Sequence, residues 1–366
     1  MVDIKKVAIN TGGGDAPGLN AVIRGATISA MGLGWEVYGI RQGYTGILEP
    51  TEGEEGIIRL DANRVRGITH LGGTILGTTN KGNPFEWPVE ENGKMVAKDR
   101  SDELLEKFNK LGFDALIAIG GDGSLGIANR LAKKGLPVVG VPKTIDNDLA
   151  STVVTFGFDT AVTNATDAID KIHTTAESHQ RVMVLEVMGR YAGWIALNSG
   201  VSGSADVVLI PEIPYDIEKI CEKVRQREAS GRHFTIVVVA EGAKPKGGTM
   251  STIGEKQVGR EVKLGGVGDR LAYEIEEKTG KETRSLVLGH LQRGGSPTTF
   301  DRLLSLRFGS AAVRTLNEGK TGVMVALNPP RVDVVPLDQA VSKMKSVQMD
   351  SDTLLTGRYL GICFGD

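Results

Sequence analysis

The sequence predicts an α/β protein built as two Rossmann-like three-layer domains with mainly parallel sheets, and three observations carry that expectation. Short β-branched runs end repeatedly in glycine-rich loops that lead into helical patterns, the rhythm of parallel strands joined by crossover helices. Those runs are too many for one comfortable sheet, so they divide between two. Glycine is the compositional outlier: 49 of 366 residues, about 13% and roughly twice ordinary usage, clustered after the predicted strands.

Taken in order, Val7 to Asn10 reads as a buried strand, Thr11 to Gly18 (TGGGDAPG) as a loop and Leu19 to Met31 as a helix. Glu36 to Ile40 is the second strand. Ala115 to Ile119, Val138 to Val141, Val182 to Val187, Val207 to Ile210, Thr235 to Ala240 and Leu286 to Leu288 continue the series. Ala161, Ala165, Ala168, Ile172 and Ala176 recur at helical spacing and form a small-residue face suited to a sheet. That helix is expected to open the second domain. Lys244 to Gly254, rich in Gly, Lys, Ser and Thr without apolar periodicity, reads as an exposed loop. From about Arg331 the signals weaken. The expected division is one domain of 1–157 with about 292–345, a second of 158–291, and a C-terminal segment, 346–366, with no assigned role.

Bulk properties exclude several classes. The chain carries 43 Lys and Arg against 45 Asp and Glu, a formal net charge of −2, so no global field favours nucleic acid or an anionic membrane. The two cysteines, Cys221 and Cys363, are too few and too distant in sequence for a disulfide framework or thiolate metal site, which suits a reducing compartment. The start MVDIKKVAIN lacks a signal-peptide core and no run approaches a membrane span, so a cytoplasmic location is expected.

Four segments carry chemistry. GGDGS (Gly120 to Ser124) lies where a parallel strand ends and a helix begins. Its glycines let the backbone approach phosphate oxygens, Ser124 can donate to them, and the helix offers free N–H groups. Asp122 conflicts with an anion site until a cation is added, and Mg²⁺ shared between a carboxylate and phosphates removes the conflict. A tight turn capped by aspartate is the plain alternative. VPKTIDNDLA sets Lys143, Thr144, Asp146, Asn147 and Asp148 in one short loop after the next strand. Alternation along an extended chain lets Thr144, Asp146 and Asp148 share a face, although a helix-capping turn would account for one of the acids. TGGGDAPGLNAVIRG fits neither the GxxxxGK[ST] nor the GxGxxG pattern, which argues against both of those nucleotide-binding classes. Finally Arg181, Arg190 with Tyr191, Arg284, His290 and Arg293 form a scattered basic set near predicted strand ends, better read as a second anion pocket than as separate surface ion pairs. Glu241, after another strand, could accept from sugar hydroxyls or cap a turn.

Together, TGGGDAPGLNAVIRG, GGTILGTTN, GGDGS, PKTIDND, SHQR, VMGRYAGW, AEG and LGHLQRGG resemble the phosphofructokinase A family, in order, from about residue 5 to 300. The resemblance implies an active site in the cleft between a phosphoryl-donor domain and a fructose 6-phosphate domain. It implies Asp146 as the base that takes the proton of the sugar 1-hydroxyl, Thr144 beside it, Arg190 steadying the moving phosphoryl group, and Asp122 holding Mg²⁺. Gly14, Tyr44, Asn80, Lys81, Gly121, Asp122, Gly123, Ser124 and Lys143 would form the donor side. Arg181, Arg284, His290 and Arg293 would grip the 6-phosphate, with Thr144, Asp146, Asp148, Met188, Gly189, Arg190 and Glu241 around the sugar. Arg181 and Arg284 would come from a neighbouring subunit, which implies a homodimer or homotetramer.

Two positions give opposing hints about the donor. By the resemblance, ATP users in bacteria carry glycine at both positions matching Gly123 and Lys143, and pyrophosphate users carry aspartate and lysine. This chain has one of each. An aspartate at 123 would repel an α-phosphate, so Gly123 leaves room for ATP, whereas Lys143 would grip a bare pyrophosphate. ATP is the expected donor and pyrophosphate the alternative, with a catalytically inactive sugar-phosphate sensor as the reading from another class. Asn80 stands where the family has an arginine near the nucleotide, with Lys81 after it.

Overall fold

The computed structural model describes residues 4–91, 93–252 and 264–366, and the chain forms two compact units. Unit 1 comprises Met1–Ile145, Leu149–Asp159 and Arg293–Met344, and unit 2 comprises Asp146–Asp148, Thr160–Gln292 and Lys345–Asp366.

In chain order, unit 1 begins with β1 (Lys6–Thr11), α1 (Leu19–Gly32), β2 (Glu36–Ile40), α2 (Thr45–Leu48), β3 (Ile57–Leu60) and the hairpin β4 (Trp87–Glu91) and β5 (Lys94–Lys98). α3 (Ser101–Lys110), β6 (Ala115–Gly120), α4 (Asp122–Lys133) and β7 (Val138–Pro142) follow. α5 (Phe158–His179) leads into unit 2, with β8 (Val182–Val187), α6 (Trp194–Ser202), β9 (Val207–Leu209), α7 (Ile217–Ala229), β10 (Thr235–Ala240), α8 (Val267–Thr279) and β11 (Thr283–Val287). After a 3-10 turn at Gly289–Arg293, the chain returns to unit 1 through α9 (Thr299–Asn317), β12 (Val323–Asn328), β13 (Arg331–Pro336) and α10 (Leu337–Ala340), and α11 (Asp352–Tyr359) belongs to unit 2.

The sheet of unit 1 has the order β13-β12-β7-β6-β1-β2-β3, parallel except at its two edges, where β13 and β3 run antiparallel to their neighbours. Its central strands read as unbroken apolar runs because both faces are covered. Val7 and Ile9 of β1 face one core with Ile117, Ile119, Val139 and Val141, against α1 and α9. Ala8 faces the other with Leu116, Ala118 and Val138, against α3 and α4. The strand period of two thus builds the three layers. α1 and α9 meet backbone to backbone: a Cβ on Gly309 would lie 2.4 Å from the Val22 carbonyl oxygen, and one on Gly25 2.8 Å from that of Leu306.

Unit 2 holds a four-stranded, all-parallel sheet ordered β11-β8-β10-β9. Val182, Val184, Val237 and Val239 pack against Ile220 and Val224 of α7 and Leu271 and Ile275 of α8. On α5 the buried positions are Thr160, Ala161, Ala165, Ile169, Ile172 and Ala176, so Ile169 takes the central place that the alanine spacing assigned to Ala168. The strand expected at Leu286 to Leu288 runs from Thr283 to Val287 instead. β11 is an edge strand, and its polar residues Arg284 and Ser285 hid it from an apolar search. Residues 244–252 form turns and irregular chain, while Ile253 and Gly254 of that predicted loop lie outside the described residues. No helix among the described residues is long and apolar enough to cross a membrane.

Candidate active site

In unit 1, β1 lies between β6 and β2, so the loop after β1 leaves toward α1 and β2 while β6 lies on the other side. The carboxyl ends of β1 and β6 form a topological switch point, where ligands bind in open α/β sheets. The two glycine loops nest there. Gly12 N–H donates to the Ile119 carbonyl at 2.9 Å. A Cβ on Gly12 would sit 2.7 Å from Ser124 Oγ, and one on Gly120 2.3 Å from Ser124 Cβ, so neither position admits a side chain. Asp122 is the exposed first residue of α4, where the helix dipole and free N–H groups favour negative charge. Gly123 is exposed, and among the described residues a Cβ there would meet nothing within 4 Å apart from its chain neighbours.

Lys143, at the end of β7, is 4% exposed. Its backbone N–H donates to the Gly120 carbonyl at 2.9 Å, and its amine donates to the Gly14 carbonyl. This side chain therefore ties the loop after β7 to the loop after β1. Arg293 also reaches the first loop: its Nη1 donates to the Asp15 carbonyl at 2.8 Å and lies 2.8 Å from where a Cβ on Gly14 would stand. Tyr44 is buried in the unit 1 core, which pushes its phenol up to about 12. Asn80 and Lys81 are exposed.

The segment GGTILGTTN lies along the first glycine loop, through Gly13 N–H to the Thr79 carbonyl (3.1 Å), Thr78 Oγ1 to the Gly13 carbonyl (2.6 Å) and Thr11 Oγ1 to the Gly77 carbonyl (2.7 Å). Its anchor is Asn20 of α1, which the sequence did not single out. The buried amide donates to the carbonyls of Leu71 and Gly72, both at 3.2 Å, and accepts from Ile75 N–H at 2.8 Å. Asn20→Ala leaves these groups unpaired and is expected to destabilise the protein by about 2–4 kcal/mol. A denaturant midpoint equal to that of the parent would refute the anchor.

In unit 2, the loops after β11, β8 and β10 line up at adjacent strand ends. Gly242 N–H donates to the Gly189 carbonyl at 3.1 Å, and a Cβ on Gly242 would fall 1.9 Å from the Arg190 carbonyl oxygen. Gly189 has φ +135°, a backbone state that suits glycine. These contacts place Met188, Gly189, Arg190 and Glu241 side by side. Arg190 stacks over Tyr191, 5.3 Å from the ring centre. Gln292, buried and unforeseen, accepts from Met188 N–H at 3.4 Å and donates to the Gly289 carbonyl at 3.1 Å, which ties in the turn bearing exposed His290.

Arg181 and exposed Arg284 converge on one carboxylate: Glu282 lies 2.7 Å from Arg181 Nε and 2.6 Å from Arg284 Nη2, and Arg181 holds its pKa below the usual range. Along the loop after β7, exposure alternates: Thr144, Asp146 and Asp148 are partly exposed while Lys143, Ile145 and Asn147 are buried. That is the alternation an extended loop imposes. Asn147 departs from it with φ +52°. The Thr144 carbonyl accepts from Thr155 Oγ1 at 2.7 Å.

Glycine-lined loops at parallel strand ends, the acidic residues in them and the arginines near other strand ends have the chemistry of an α/β phosphotransferase. The phosphofructokinase family model matches residues 6–316, and the chain belongs to that family. It is 52% identical over 371 residues to the ATP-dependent 6-phosphofructokinase 2 of Clostridium perfringens, covering 100% of both chains. It is 50% identical over 344 residues to the pyrophosphate–fructose 6-phosphate 1-phosphotransferase of Amycolatopsis methanolica, covering 93% of this chain and 96% of that one. The crystal structure of Pichia pastoris phosphofructokinase in the T-state superposes with a TM-score of 0.79 at 31% identity over 93% of this chain, which spans 36% of that longer chain.

Proposed function

We propose that the chain transfers a phosphoryl group from MgATP to the 1-hydroxyl of fructose 6-phosphate, giving fructose 1,6-bisphosphate in glycolysis. The observation that carries ATP as donor is the open space around Gly123 at the start of α4, which leaves room for an α-phosphate. Lys143, the residue that hints at pyrophosphate, has its amine on the Gly14 carbonyl. Relatives of the whole chain named as ATP-dependent support the same reading.

In this reading Asp146 takes the proton of the sugar hydroxyl, Thr144 orients that hydroxyl, and Arg190 steadies charge on the phosphoryl group in transfer. Gly14, Gly121, Gly123 and Ser124 cradle the donor phosphates, with Asn80, Lys81 and Tyr44 on the donor side. Asp122 suits Mg²⁺: among the described residues no three His, Cys, Asp or Glu side chains cluster as a metal cage, and one exposed carboxylate completed by phosphate oxygens and water is a common Mg²⁺ environment. When bound, Mg²⁺ would neutralise donor phosphate charge.

Arg181, Arg284, His290 and Arg293 grip the 6-phosphate, and Asp148, Met188, Gly189 and Glu241 contact the sugar. The protein acts as a homodimer or homotetramer in which Arg181 and Arg284 serve a neighbour's site. Exposed Leu286 and Val287 on edge strand β11 favour such pairing. Pyrophosphate is the second reading, favoured by Lys143 and by the Amycolatopsis relative. Turnover with MgATP is expected to exceed turnover with Mg-pyrophosphate by at least about tenfold at equal fructose 6-phosphate, roughly 1.4 kcal/mol of barrier difference. The reverse ratio would assign pyrophosphate as the donor.

A further inference from the structure

Lys345 is half-buried and touches the catalytic loop twice. Its amine donates to Asn147 Oδ1 at 3.0 Å, and its backbone N–H donates to the Asp148 carbonyl at 2.8 Å. Its carbonyl accepts from Trp194 Nε1 at 2.9 Å, and its ammonium sits 5.5 Å from the centre of that ring. Two residues on, Val347 N–H donates to Glu212 Oε1 at 2.8 Å, and the same carboxylate accepts from Gly193 N–H at 3.1 Å. Lys345 and Val347 thus contact both the loop bearing Asp146 and the Gly193–Trp194 turn that follows Arg190.

We propose that Lys345 is a positioning residue for the transfer reaction, one that holds Asn147 in its left-handed conformation and so fixes the direction of Asp146 beside it. Asparagine takes the left-handed state more readily than other side-chain-bearing residues, yet at φ +52° it is still a minority conformer, and the Lys345 amine on the Asn147 side chain biases the loop toward it. Burial pulls the Lys345 amine down to about 8, with Asp148 opposing the shift. The inference rests on Asp146 being the base.

The test uses the full-length protein and three variants: Lys345→Met, Asn147→Gly and the double. Methionine fills the lysine's space without charge, and glycine tolerates φ +52° but removes the acceptor and leaves the backbone free to depart from it. Each single variant is expected to lower kcat by about 10- to 100-fold with KM for fructose 6-phosphate within about threefold and the thermal midpoint little changed. The double variant should lose no more than the worse single one, because both remove the same contact. Single-variant kcat within about twofold of the parent, or losses that multiply in the double, would overturn the proposal. If Lys345→Met does not fold, Asn147→Gly, which keeps the lysine, decides by the same kcat and KM criteria. Asp146→Ser run in parallel separates the two readings. Its collapse beside normal Lys345→Met kinetics sinks the positioning role alone, and its normal turnover sinks the base.

Discussion

Replacing Asp146 by serine is expected to lower turnover by roughly 10²- to 10⁴-fold, the range for loss of a positioned general base. Fructose 6-phosphate affinity should change little, because the proposed phosphate grip comes from Arg181, Arg284, His290 and Arg293. Asp146 stands on a short loop whose neighbour Asn147 is anchored to Lys345, so a side chain one atom group smaller should not disturb the fold. Steady-state kcat together with calorimetric titration of the sugar phosphate checks both halves. Turnover equal to the parent's would assign the base elsewhere.

Gly123→Asp is expected to reduce MgATP turnover by about 10²- to 10³-fold while sparing the fold. A carboxylate about 4 Å from an α-phosphate oxygen at an effective dielectric of about 20 costs on the order of 4 kcal/mol. Among the described residues the added Cβ meets nothing within 4 Å apart from its chain neighbours, and an acidic residue in the first turn of α4 suits the helix dipole. Stability should stay within about 0.5 kcal/mol of the parent. Pyrophosphate, which has no α-phosphate in that place, should lose far less. Kinetics with both donors and a thermal melt make the measurement, and an ATP rate within about threefold of the parent would remove Gly123 from donor selection.

The parts of the fold legible in the sequence are those with strong local pattern. β1, β6, β7, β8 and β10 are buried on both faces and stand out as apolar runs. β3 and β13 are antiparallel edge strands with exposed positions, so no unbroken apolar run marked them, whereas β12 carries an apolar run, VMVALN, not singled out from the sequence. The glycine loops were legible because close neighbours, the Ser124 side chain at Gly12 and Gly120 and the Arg190 backbone at Gly242, leave no room for a Cβ. Asn20, Gln292, Glu212 and Lys345 were not. Each is a single polar residue whose partners lie far along the chain, as with Lys345 and Asn147, 198 residues apart. Such a residue leaves no periodic signal. Arg293 illustrates the complementary gap: its motif was visible, but its hydrogen bond to the Asp15 carbonyl spans 278 residues.

The order in which the strands are made matters for how the protein is born. β7 of unit 1 receives its neighbour β12 only after the chain has run through the whole of unit 2's sheet. During synthesis at roughly 5–20 residues per second, the nascent chain carries an unpaired β7 edge and an α1 surface that awaits α9. Unit 2's four-stranded sheet, by contrast, is complete as soon as β11 emerges. A sheet encoded later can therefore close first, while β7 and α1 of the earlier-encoded unit wait for β12 and α9.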